Sequence, residues 1–289
     1  MHLSTRRKIQ LAIALQQPVI WFMKMLRRGP LVKCSRGGVN WELDLREGID
    51  FSIFLLGCFE PSTSKALAIL VQSGYYVIDI GANVGAHTLP LASLVGEQGK
   101  VIAFEPTRYA YSKLEKNVFL NPLLKERISV HQYMLADHMR AHLEEAIFSS
   151  WPLKMEAGLH SIHGGREMST AGADVSTLDY FFQKNNVPRL DLIKMDVDGH
   201  ECTVIKGSQN TLQKYMPTIV MEFAPYTLRE RGESPSELLD LLKPYGYLLF
   251  DEKTGVQLPW SFEELSALVP KGGSRNIIAA ISSPFAGKE

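Results

Sequence analysis

Val77-Ile78-Asp79-Ile80-Gly81-Ala82-Asn83-Val84-Gly85-Ala86-His87-Thr88 is the stretch that decides the fold. Tyr76 to Ile80 is a compact apolar run, the pattern of a buried strand. Helical periodicity follows from Gly85 to Val95, and Gly81 allows a tight turn between the two. Twenty residues after Gly85 stands Glu105, closing a second strand, Lys100 to Phe104. An acid there can accept hydrogen bonds from a ribose diol. The spacing is G-x-x-x-G with Asp79 two residues ahead, not the G-x-G-x-x-G that cradles a pyrophosphate. An added carboxylate suits a cationic ligand better than a diphosphate. S-adenosylmethionine, with a sulfonium, an α-amino group and a ribose diol, fits; Gly85 would let it approach the helix start.

Outward from this unit the alternation continues. A helix is expected over Tyr109 to Leu120, a strand over Ile128 to Leu135, a strand over Leu190 to Met195 and a helix over Glu201 to Lys214. Further strands are expected at Thr218 to Phe223, Tyr247 to Asp251 and Asn276 to Ile281, with a helix over Ser236 to Lys243. Upstream, Val39 to Leu45 reads as a strand, the chain through Gly57 and Glu60 as a loop, and Ser62 or Ser64 as the cap of a helix to Gln72. Trp151 to Ala173 is glycine-rich and aperiodic, hence a long loop. Strands alternating with helices predict an α/β domain with a mainly parallel sheet, its ligands beyond the carboxyl ends of the strands.

A second cluster closes the fourth of these strands: Lys194-Met195-Asp196-Val197-Asp198-Gly199-His200-Glu201. Five ionisable groups crowd where an apolar strand should end. Asp196 is the first candidate for accepting a hydroxyl proton and His200 the second. Glu201 also suits a plain helix start. Glu222 ends the next strand. Asp196, Asp198 and Glu222 could together hold a divalent metal through oxygen. His160 and His163 lack a third ligand and are rejected as a metal pair; Asp198, Glu222, His163 and Arg166, with Trp151 and His160, are candidates for the substrate side.

These residues resemble the FkbM family of S-adenosylmethionine-dependent methyltransferases. The resemblance rests on Asp79 to Gly85, Phe104-Glu105-Pro106, Thr177-Leu178-Asp179 and Lys194 to Glu201, with Lys206-Gly207, Glu222, and upstream Leu43-Asp44-Leu45 and Gly57-Cys58-Phe59-Glu60-Pro61. It spans roughly residues 40 to 281. It implies a class I methyltransferase fold, a Rossmann-like three-layer sandwich whose seven-stranded, mainly parallel sheet has an antiparallel last strand. It implies O-methylation of a hydroxyl on a sugar, glycan or related natural product. It further implies that Asp79, Gly81 and Gly85, with Asn83 in the same loop, hold the methionine part, that Glu105 takes the ribose, that Asp137 sits near the adenine and that Asp196 borders the cofactor. Asp198 departs from the family, which more often has Glu there. Competing readings are an NAD-dependent Rossmann oxidoreductase and a non-catalytic nucleotide-binding module.

Charge divides the chain. Of 289 residues, 31 are basic and 31 acidic, yet residues 1 to 41 hold eight bases and no acid, leaving 23 bases against 31 acids in the rest. An acidic body argues against nucleic-acid binding. Three scattered cysteines allow no disulfide framework and favour a reducing, cytoplasmic setting. We divide the chain into a basic segment, 1–38, and a methyltransferase domain, 39–289, with an entry piece over 39–75. Ile9 to Met23 is too short and too polar to span a bilayer and lacks a signal-peptide cleavage site. With its flanking bases it is a candidate for peripheral membrane contact through residues 1–33, or for packing on the body or on a second subunit of a homo-oligomer.

Overall fold

The computed structural model describes the backbone of residues 5–9 and the whole of residues 10–154, 158–160, 164–270 and 272–285. Seven strands form the central sheet: β1 Tyr76–Ile80, β2 Lys100–Phe104, β3 Ile128–His131, β4 Leu192–Met195, β5 Thr218–Phe223, β6 Leu248–Asp251 and β7 Arg275–Ala280. Their spatial order is β6-β7-β5-β4-β1-β2-β3. β7 is antiparallel to both β5 and β6, while the pairings among β1 to β5 are parallel. This is the class I methyltransferase topology that the resemblance implies.

Both sheet faces are buried because neighbouring residues in each strand are apolar. Ile78, Ile80, Phe104, Met195 and Met221 pack against the helices Leu178–Asn185 and Glu201–Lys206. Val77, Val101, Leu192 and Val220 pack the other way, against the helices Pro61–Leu70 and Thr88–Leu94. Strands covered on both faces read as near-continuous hydrophobic runs, which is why these were legible.

Several elements differ from the expectation. Ile128 to Leu135 is two strands: the chain leaves the central sheet after His131, and Tyr133–Leu135 pairs with Asp174–Ser176. Glu201 to Lys214 is two helices, broken at Gly207-Ser208. There the backbone lies so close to Ala136 that a β-carbon on Gly207 would meet the Ala136 carbonyl oxygen at 2.0 Å. The supposed loop before Gly57 is a helix, Gly48–Leu56, burying Ile49, Phe51 and Ile53. Part of the long loop is strand, Arg166–Ser169 pairing antiparallel with Ala146–Ser149.

At the N-terminus, Thr5–Met25 is helical despite Pro18. One face docks on the body: Ala12, Ile13, Val19 and Ile20 pack against the cluster around Trp41 and Phe51, and Gln16 Nε2 donates to the Leu45 carbonyl at 2.9 Å. Leu31–Arg36 pairs with Val39–Asp44, so the division drawn at residue 38 falls in the turn of a hairpin.

Candidate active site

The site lies beyond the carboxyl ends of β1, β2 and β4. Parallel strands deliver their last residues to one edge, and the loops that follow line a cleft of about 910 Å³, open solvent at its mouth included. Gly81, Asn83, Glu105, Asp196 and His200 all line it. Apolar walls come from Ile80, Phe104, Tyr133, Leu135, Val197 and Val204.

Gly81 sits at the crossing of β1 and β4. Its φ is +76°, and a β-carbon there would stand 1.9 Å from the Asp196 carbonyl oxygen. Only glycine lets these two loops meet. Asn83 also has positive φ, +48°, and its backbone N–H donates to Glu105 Oε2 at 2.9 Å. Glu105 Oε1 accepts from the Thr107 amide at 2.9 Å and from its hydroxyl at 2.6 Å. Burial pushes the Glu105 carboxyl above its usual range, against the pull of these donors. A carboxylate fixed on both oxygens is a preorganised acceptor at the end of β2.

Asp79 and Gly85 lie behind the cleft instead of lining it. Asp79 is fully buried; its Oδ2 accepts from Thr88 Oγ1 at 2.6 Å and its Oδ1 stands 3.6 Å from Lys194 Nζ. Odd-numbered positions of β1 face the helices Pro61–Leu70 and Thr88–Leu94, and Asp79 lies buried on that side. Gly85, at φ +92°, gives room to Leu114 and Leu89, whose methyl carbons would stand 2.8 and 3.2 Å from an added β-carbon. Its smallness therefore serves helix packing. Asp137 is exposed and paired with His138 Nδ1 at 2.6 Å; Tyr133, Met134 and Leu135 line the cleft in its stead. The chain turns outward after the buried Leu135-Ala136 pair.

Lys194 is the cation within the acids. Its Nζ is 3.5 Å from Asp196 Oδ2 and 3.6 Å from Asp79 Oδ1. Burial alone would lower its pKa, but Asp196 and Asp79 outweigh that and hold the ammonium charged. Asp196, Asp198 and Glu222 each offer an oxygen within 4.8 Å of the others. Burial first, then Asp196 and Glu201, pushes the Asp198 carboxyl up to about 8. Glu222 is pushed well above the carboxylate range by burial and by Asp196 and Asp198. Asp198 holds φ +48°, uncommon for a non-glycine residue, which bends the chain back into this cluster.

His200 behaves differently from its imidazole's ordinary tendency. Burial and the nearby Arg231 press its pKa down to about 4, against the attraction of Glu144 at 3.5 Å. It is a neutral, weak base near pH 7. Arg166 is tied to Glu47 at 2.6 Å and does not line the cleft. His160 faces Glu230 at 3.1 Å. His163 lies outside the described residues.

Two lining residues, His87 and Phe59, and the buried Thr107 behind Glu105 went unread in the sequence. His87 is 3% exposed, its Nε2 without a hydrogen bond, and burial followed by Lys194 holds it neutral. Its signal was an imidazole inside the glycine loop. Phe59 stands between His87 and Trp151, with ring centroids at 5.9 and 5.8 Å, so three rings form one wall. Thr107, which fixes Glu105, could have been noticed two residues after the acid.

The family model for the methyltransferase FkbM domain matches residues 79–249, more than half of the chain. Hexuronic acid methyltransferase AglP of Haloferax volcanii is 28% identical over 167 residues, 57% of this chain and 59% of that protein. The chain thus spans less than two thirds of that relative. Among solved structures, the methyltransferase FkbM from Methylobacillus flagellatus KT is 16% identical, with a TM-score of 0.43, over 72% of this chain and 44% of that one. An S-adenosylmethionine-dependent O-methyltransferase from Thermotoga maritima is 12% identical, with a TM-score of 0.41, over 90% and 81%. The match to its domain model, over the residues that build the cleft, places this chain in the FkbM methyltransferase family.

Proposed function

We propose that the protein transfers a methyl group from S-adenosylmethionine to a hydroxyl of a sugar or glycan. One observation carries the reading: Glu105, Gly81 and Asp196 converge on one cleft in a chain of the FkbM family. The lining fits the cofactor. Glu105 can take the ribose diol, the apolar wall of Phe104, Tyr133 and Leu135 can take the adenine, and Asp196 suits the cationic methionine end. Bound there, the cofactor supplies an electrophilic methyl group.

The remaining work falls to the chain. Asp196 sits at the cleft with 32% of its side chain exposed, where an acceptor hydroxyl can reach it. It accepts that proton as the oxygen attacks, which accelerates such a step by on the order of 10²–10⁴-fold. Lys194 keeps it oriented. The wall of Phe59, His87 and Trp151 gives apolar faces and one imidazole edge to the acceptor, which suits a sugar. A relative named for hexuronic acid supports an acidic sugar as acceptor. Positioning of the two reactants supplies much of the rate.

Asp196, Asp198 and Glu222 are the candidate seat of a divalent cation. Oxygen atoms within 4.8 Å of one another are close enough to share one ion.

The test is incubation with methyl-labelled S-adenosylmethionine and a panel of uronic-acid and neutral glycans, followed by mass spectrometry. One added methyl per acceptor, stable to mild alkali, is expected. An alkali-labile product would be an ester and would overturn the hydroxyl assignment; no transfer to any sugar would overturn the acceptor class.

A further inference from the structure

The helix Thr5–Met25 presents a second face, opposite the one that docks on the body. Leu11, Leu15, Trp21, Phe22 and Met25 on it are 45 to 65% exposed, and Leu26 just beyond is 49% exposed. At 100° per residue they fall on one arc, while Ala12, Gln16, Val19 and Ile20 fall on the other. Large apolar side chains gathered on one exposed stripe call for a covering. The helix is not free to roll them inward, because Gln16 is bonded to Leu45 and the opposite stripe is packed.

Charge narrows what can cover it. Lys24, Arg27 and Arg28 follow the stripe, all exposed, and none makes an ion pair among the described residues. No acid occurs before Glu42. A second copy would bring the same bases against these, whereas an anionic lipid surface would neutralise them. We propose that this face docks on an anionic bilayer surface, with Trp21 and Phe22 in the interface and Lys24, Arg27 and Arg28 at the headgroups. Contact is peripheral: no single helix among the described residues is long and apolar enough to cross a membrane. The docked helix would stand beside the cleft rim, since Lys24 and Arg28 share a groove with Pro152, the neighbour of Trp151.

The test is flotation of the full chain with phosphatidylcholine vesicles containing a quarter phosphatidylglycerol, and with phosphatidylcholine alone. Binding is expected only to the anionic vesicles and should fall with added salt. Lys24→Gln with Arg27→Gln and Arg28→Gln should weaken it by on the order of a hundredfold, taking roughly fivefold per cation. Trp21→Ser with Phe22→Ser should also weaken it. Both variants should keep the wild-type thermal melt, since the altered side chains are exposed. Equal binding by wild type and variants, or none to anionic vesicles, would overturn the proposal. So would a dimer in light scattering that Trp21→Ser with Phe22→Ser turns into a monomer, because a second copy would then own the face.

Discussion

Lys194 and Asp79 are register partners on adjacent parallel strands, and their charged ends meet 3.6 Å apart at the buried floor of the cleft, which Lys194 lines. Neither charge could stay there alone. Lys194→Met should therefore cost about 3–5 kcal/mol, the range for stripping one partner from a buried pair. Lys194→Met with Asp79→Asn should recover part of it. Urea unfolding of wild type, Lys194→Met, Asp79→Asn and the double variant measures the coupling, and additive losses would show that the pair does not act as one.

Asp196→Asn keeps shape and removes the proton acceptor. Turnover should drop by on the order of 10²–10⁴-fold while S-adenosylmethionine still binds in calorimetry. Near-normal turnover would remove Asp196 from its role. His200→Gln, by contrast, should leave the pH profile between 5 and 8 unchanged, because burial already holds that imidazole at about 4.

Gly81→Ala would put a β-carbon 1.9 Å from the Asp196 carbonyl oxygen, at a φ that disfavours alanine by about 1–2 kcal/mol before any clash. The loops after β1 and β4 must part. Loss of cofactor binding together with a lower melting temperature is expected, and wild-type affinity in calorimetry would contradict this reading of the crossing.

The acids of the second cluster set a pH dependence. Asp198 is raised to about 8 and Glu201 to about 7, burial being the first cause of each. A carboxyl raised on folding contributes stability that is complete below its unfolded value, near 4, and is lost as pH rises through its folded value. The melting temperature should therefore fall as pH rises from about 4 to about 8 and level off above that, and Asp198→Asn should flatten the fall. If the cluster takes a divalent cation, millimolar Mg²⁺ should raise the melting temperature more at pH 8.5 than at pH 6, since protons and the ion compete for the same oxygens. An equal effect at both pH values, or none, would count against a metal there.

The sequence by itself determined the alternation of strands and helices, because strands covered on both faces are written as unbroken apolar runs such as Val77-Ile78 and Leu192-Ile193. It also marked Gly81, Glu105 and Asp196, since a turn glycine and acids at strand ends are local features. Of the residues it offered as cofactor contacts, Asp79, Gly85 and Asp137 do not line the cleft. Strand parity aims Asp79 at Lys194 and Thr88, a neighbouring helix claims the space at Gly85, and the chain's exit after Ala136 turns Asp137 to solvent. Only the tertiary structure decided that His87 is buried and neutral, that Phe59 and Trp151 share its wall, and that one face of the N-terminal helix packs while the other stays bare. Burial, and the charges brought near by distant segments, set what a side chain can do, and neither is written in its neighbours along the chain.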